Sequence, residues 1–192
     1  MRYVESAAIS DAAYRMCVRA SIAPAPGIRE ALEHALSLHP PGPAFHALRI
    51  LIENIDVAGK SRLPLCQDTG IPVFFAVLGS EVAVAGGTLE QAISSGVSKA
   101  CSEGCLRPSL VADPAGSRFN TTDSTPPVIH LETREGRGIS LGLILRGAGS
   151  ENASRLGMLL PHAGEDGISR FVLETVRDGG ASACPPLVVV SA

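Results

Sequence analysis

The sequence predicts a mixed α+β domain, with N-terminal helices packed on a small mixed β-sheet. Three observations lead there. The first third of the chain carries helical periodicity, the middle carries short apolar runs of strand character, and Pro- and Gly-rich connectors separate them. The last nine residues, "CPPLVVVSA", have the β-branched look of a buried strand, and no covering element follows them. Residues 1–192 are therefore expected to form a single domain that is incomplete at its C-terminus.

Each element rests on its own pattern. In "SDAAYRMCVRA" Ala12, Met16 and Ala20 lie on one stripe, with Ser10 as the expected N-cap. "GIREALEHALSL" repeats Ile28, Leu32 and Leu36, and Pro40-Pro41 stops it. "AFHALRILIENI" aligns Phe45, Leu48, Ile52 and Ile55. The period then changes. "IPVFFAVLG" and "EVAVAGG" read as strands, and Thr88 to Gln91 form a capping box for a helix running to about Cys105. "PVIHLET" and "GISLGLILR" are further strands. A last helix starts near Glu165 and Asp166, whose charges suit a helix N-terminus, and ends at Gly179-Gly180. It is expected to turn Ile168, Phe171, Val172 and Thr175 inward.

Composition narrows the function classes. The chain has 192 residues, 45% of them hydrophobic, and a formal net charge of −3, which suits a globular protein with a sizeable core. Its lysines are Lys60 and Lys99, and no basic run exists to neutralise a phosphate backbone, so nucleic acid is not an expected partner. The N-terminus has no apolar leader and no stretch is long enough to span a bilayer, so no membrane association and a cytoplasmic location are expected. The odd count of 5 cysteines in such a chain favours reduced or metal-bound thiols over disulfides.

The densest functional stretch is Cys66-Gln67-Asp68-Thr69-Gly70. A thiolate can bind a soft metal or an iron–sulphur cluster, and the neighbouring amide and carboxylate can contact a polar substrate. The same five residues can equally make a plain turn, with Asp68 capping the backbone and Gly70 at positive φ. Cys101 and Cys105, four apart, are expected to share a buried helix face, and Cys17 to pack in the core. The histidines show no metalloprotease spacing. "RGAGSEN", Arg146 to Asn152, reads as a glycine-rich turn in which Ser150, Glu151 and Asn152 could start a helix.

Taken in order, "LPLCQDTG", "CLRPSLVADP", "NTTDSTPPVIH", "RGAGSEN", "FVLETV" and "ACPPLVVV" resemble the alpha part of the iron–sulphur hydro-lyases, class I fumarate hydratase and tartrate dehydratase. The resemblance covers essentially the whole chain and implies a 4Fe–4S cluster held by three cysteines. It places Cys66 and Cys184 as two of these ligands, and leaves the third ligand without a counterpart in this chain. It also implies that Gln67, Asp68, Arg107 and Gly149 bind a small dicarboxylic acid, with Asp68 transferring a proton. Arg107 would pair with a substrate carboxylate, which a guanidinium fork suits. A beta subunit or domain of the same hydro-lyase, and a homo-oligomer, are the implied partners.

The chain departs from the family pattern at four residues. Thr122 stands where glycine is usual, Ser124 where asparagine is usual, Arg146 where lysine is usual, and Ala148 where the family often has another residue. Two expectations of function follow. The first is a hydro-lyase acting on fumarate and malate, or on tartrate, and expected to be inactive as this chain alone. The second is a non-catalytic remnant or partner module that cannot hold an intact cluster.

Overall fold

The computed structural model describes residues 1–183 together with Leu187 and Val189. It comprises two compact units, residues 1–146 and 147–192. Both helices and sheet are present, so the mixed α+β class stands.

In the first unit the order is β1 (Arg2–Glu5), α1 (Ser6–Ile22), α2 (Ile28–Leu38), α3 (Pro43–Ser61), β2 (Ile71–Gly79), β3 (Val82–Ala85), α4 (Leu89–Glu103), β4 (Val128–Arg134) and β5 (Ile139–Arg146). Strand β2 is the centre of a three-stranded sheet, parallel to β4 and antiparallel to β5. The parallel pairing needs a long crossover, and residues 80–127, including β3 and α4, provide it. Strand β3 turns away to pair in parallel with β1, residue for residue from Arg2–Val82 to Glu5–Ala85. Strand β1 has no sequence signal of its own and was not expected; four exposed or half-exposed residues are too few to show a period.

The core forms where α1 and α4 cross the sheet. Phe74 of β2 is fully buried against Ile9, Ala13 and Cys17 of α1 and Ala92, Ile93, Val97 and Ala100 of α4. The buried stripe of α1 is therefore Ile9, Ala13, Cys17 and Ser21, one residue away from the expected Ala12, Met16 and Ala20. The reason lies across the interface. Gly96 of α4 lets the two backbones approach so closely that an added Cβ would stand 2.7 Å from Ala13 Cβ and 2.9 Å from Tyr14 N. Small residues must face such a contact, and Met16 cannot. Helix α1 also begins at Ser6 after Glu5, so Ser10 lies inside the helix and is not its cap.

The capping box of α4 is as expected: Gln91 N donates to Thr88 Oγ1 and Thr88 N donates to Gln91 Oε1, both at 3.1 Å. The helix ends sooner than expected, at Glu103, where Gly104 N donates to Ala100 O. Cys101 and Cys105 consequently do not share a helix face. Cys101 is half-buried in α4, whereas Cys105 is exposed beyond its end with φ +56°. Cys17 is fully buried, and burial together with the neighbouring Cys101 pushes its thiol up to about 12.

The second unit holds α5 (Ala148–Asn152), two 3-10 turns and α6 (Gly164–Gly179). "RGAGSEN" is thus mostly helix rather than turn, with Ser150, Glu151 and Asn152 inside α5 and not at its start. Helix α6 spans the expected residues, with Phe171, Val172 and Thr175 half-buried, but Ile168 is 54% exposed. No described residue of this unit is buried. The strand expected over Cys184–Ala192 lies outside the described residues except for Leu187 and Val189, which are exposed.

The close crossing makes a two-sided prediction. Gly96→Ala forces backbone apart and should destabilise the chain by about 1–3 kcal/mol in urea unfolding. Gly59→Ala, in α3 with open space around its Cα, should stabilise it by up to about 1 kcal/mol. Alkylation at pH 8 should label exposed Cys66 and Cys105 well before Cys17. Peptide mass mapping checks this, and early labelling of Cys17 would contradict the burial described.

Candidate active site around the Cys66–Gly70 turn

The turn enters from a pinned position. Leu65 N donates to Ser21 O and Leu65 O accepts from Asn54 Nδ2, both at 2.8 Å, so the end of α1 and the interior of α3 hold the residue before Cys66. Cys66 and Gln67 then project as exposed side chains. The chain folds back at once. Gly70 N donates to Asp68 Oδ1 at 3.0 Å, and Gly70 adopts φ +78°, a backbone that a β-carbon would strain. The turn-forming reading of Asp68 and Gly70 is therefore correct as far as it goes.

Asp68 does more than cap. Its Oδ1 also accepts from Ser109 Oγ at 2.9 Å. Thr69 is buried, and its Oγ1 accepts from Arg107 N at 2.9 Å. These two bonds bring Arg107 from the far side of α4 to the Cys66–Gly70 turn, across some forty residues of sequence. The Arg107 side chain is exposed and makes no ion pair with a described residue. The turn thus carries a thiol, an amide and a carboxylate in succession, and the backbone of Arg107 is tied to it.

The segment behind them is a narrow hairpin. Val111 bridges Asn120, Thr121 N donates to Leu110 O, and Asn120 Nδ2 donates to Pro108 O. At its tip Asp113 accepts the amides of Gly116, Ser117 and Ala115, which hold its carboxyl below the usual range. At its base Ser124 is 1% exposed, and its Oγ accepts from Ser109 N at 3.0 Å. Burial alone would raise the Asp123 carboxyl, but the hydroxyl and amide of Thr125 and the hydroxyl of Ser98 hold it down.

The family departures now have a physical setting. Thr122 has φ +69° and Ser124 has φ +55°, the left-handed region that glycine and asparagine enter most readily. The usual residues would suit this backbone. Here Asn120 Oδ1, accepting from Thr122 N at 2.7 Å, and the Ser124 contacts hold the conformation instead. Ser109 was not singled out from sequence, and Thr69 and Ser124 were named there without the contacts they make. A serine in "CLRPS" looks like any loop hydroxyl until folding sets it against a carboxylate.

Two further residues were expected at the site. Gly149 lies in α5 of the second unit, and Cys184 lies outside the described residues. Among the described residues no three His, Cys, Asp or Glu side chains gather to hold a metal ion. Among the described residues Cys66 offers an exposed thiol, free of a disulfide and anchored through Leu65, which suits one thiolate position of an iron–sulphur cluster.

Comparison with known proteins agrees with the order of these motifs. The family profile described as fumarate hydratase (Fumerase) matches residues 10–191. A protein of Methanocaldococcus jannaschii named putative L(+)-tartrate dehydratase subunit alpha is 36% identical over 189 residues, covering 94% of this chain and 65% of its own length. The L(+)-tartrate dehydratase subunit alpha of Escherichia coli K12 is 28% identical over 141 residues, covering 72% of this chain and 46% of its own. The chain thus spans between about half and two-thirds of these relatives. With the family profile spanning nearly every residue, and with the turn and hairpin built as described, the chain belongs to the fumarate hydratase (Fumerase) family.

Proposed function

We propose that this chain is part of a hydro-lyase that adds water to, or removes it from, a small dicarboxylic acid of the fumarate/malate or tartrate/oxaloacetate class. In this reading residues 1–192 are the N-terminal part of the cluster-binding alpha domain. The observation that supports it most is the convergence of Asp68 and Arg107 through the Ser109–Asp68 and Thr69–Arg107 hydrogen bonds. A carboxylate, and an arginine tied through its backbone to the same turn, supply the groups that proton transfer and carboxylate binding on such a substrate require.

The chemistry of this chain's residues follows. Arg107 pairs with a substrate carboxylate through two parallel N–H donors. Gln67 supplies amide donors and an acceptor to the substrate hydroxyl or second carboxylate, and Gly149 offers backbone without a side chain. In the dehydration direction Asp68 takes the proton from the carbon next to the one losing hydroxide. Proton and hydroxide leave the cycle together as water. Hydration reverses the path. Cys66 and Cys184 are the proposed thiolate ligands of a 4Fe–4S cluster, which when bound supplies a Lewis-acid iron with an open position. A beta subunit or domain of the same hydro-lyase completes the substrate cleft, and the assembly is a homo-oligomer in the cytoplasm. No helix among the described residues is long and apolar enough to cross a membrane.

A second reading is a non-catalytic partner module. The absence of a three-ligand group among the described residues is the observation in its favour. Anaerobic reconstitution with iron and sulphide, with and without a beta partner, followed by fumarate and tartrate turnover, separates the two.

Two substitutions test the site. Cys66→Ser should remove the broad visible iron–sulphur absorbance of the reconstituted protein, while Cys101→Ser should leave it unchanged. An intact spectrum in the Cys66 variant would overturn the ligand assignment. Asp68→Asn keeps an oxygen to accept from Gly70 N and Ser109 Oγ, so folding and iron content should survive. Turnover should fall by about 10²- to 10⁴-fold. Near-normal turnover would return Asp68 to a turn cap.

A further inference from the structure

We propose that Ser109 is a positioning residue that fixes the orientation of the Asp68 carboxylate, an inference that rests on the proton-transfer reading of Asp68. Two contacts carry it. The Ser109 hydroxyl has one hydrogen and two acceptors within reach, Asp68 Oδ1 at 2.9 Å and Arg107 O at 3.3 Å. The carboxylate is nearer and charged, and bonds to ionised acceptors are roughly twice as strong as neutral ones, so the hydrogen goes to Asp68. The serine itself cannot drift, because its amide donates to Ser124 Oγ at 3.0 Å, and Ser124 is 1% exposed.

The consequence is a carboxylate gripped from two directions at one oxygen. Gly70 N approaches along the turn, and Ser109 Oγ approaches from the hairpin. The χ2 torsion of a carboxylate is broad and roughly two-fold, and two donors on one oxygen from different segments narrow it. A base that takes a proton from carbon depends on such alignment, and a misplacement of about 1 Å can cost on the order of 100-fold in rate. Ser124 is buried at a left-handed φ, so a strained, enclosed residue stands behind an otherwise ordinary loop serine.

The test uses Ser109→Ala and Ser109→Thr in the full chain. Ser109→Ala removes the hydroxyl and keeps the amide that donates to Ser124. Hydrogen exchange at the buried Gly70 amide should then speed up about 10-fold, because its acceptor is released. Ser109→Thr should restore the slow rate. In the anaerobically reconstituted protein with its beta partner, Ser109→Ala should lower kcat about 10-fold with KM changed less than about twofold. Ser109→Thr should recover kcat, and Ser109→Ala should add nothing in an Asp68→Asn background. Unchanged Gly70 exchange in Ser109→Ala overturns the proposal, as does an equal fall in kcat when Asp68 is already Asn. Normal turnover by Asp68→Asn alone would overturn the proton-transfer reading beneath it. The exchange contrast would still decide whether Ser109 holds the carboxylate.

Discussion

The site depends on one buried hydroxyl. Thr69 Oγ1 accepts the Arg107 amide, and with it the hairpin that follows α4 is sewn to the turn that precedes β2. Without that acceptor an enclosed N–H would lose its partner, at about 1–3 kcal/mol. Water cannot easily replace it, since Thr69 is 8% exposed. Everything else at the edge of the sheet follows from this junction. Arg107 reaches the turn because its own backbone is bonded there. Ser109, two residues on, falls opposite Asp68, and Ser124 closes behind it. Thr69 is buried, and its oxygen meets the hairpin.

The core supports the junction from the other side. Gly96 brings α1 and α4 together, which seats both against Phe74 in β2. The end of α1 then offers Ser21 O to Leu65 N, and α3 offers Asn54 to Leu65 O. Thus the residue before Cys66 is fixed by helices whose positions are set by packing, while the residues after it are fixed by polar bonds. Functional side chains held between two rigid supports can keep their geometry without being buried themselves. Cys66, Gln67 and Arg107 all remain exposed.

Much of this was legible in the sequence, and the pattern of misses is physical. Strand β2, strand β5, the capping box and α6 were readable because each carries a local signal: alternation, a reciprocal cap or a glycine stop. The turn at Asp68 and Gly70 was readable for the same reason. The buried stripe of α1 was not, because its register is set by Gly96, more than eighty residues away. Strand β1 was too short to show a period and exists through its pairing with β3. The Cys101–Cys105 pairing failed because a helix ends where its glycine ends it, two residues short of Cys105. Ser109, and the contacts of Thr69 and Ser124, were invisible for a different reason: a loop hydroxyl has no sequence signature of the acceptor or donor it will meet. Gln67 and Asp68 stood out in the Cys66–Gly70 stretch as possible substrate contacts, Arg107 was named only through family resemblance, and folding ties the Arg107 backbone to the same turn as Asp68.

The central claim is that Cys66, Asp68 and Arg107 form one site for iron and a dicarboxylate. Diffraction at the iron absorption edge, from crystals of the anaerobically reconstituted protein grown with a dicarboxylic acid, tests it most directly. The account predicts an anomalous iron peak bonded to Cys66 Sγ, with the dicarboxylate between that iron and the Arg107 guanidinium and with Asp68 against its carbon chain. Iron bound elsewhere with Cys66 unligated, or a dicarboxylate seated away from both Asp68 and Arg107, would contradict it.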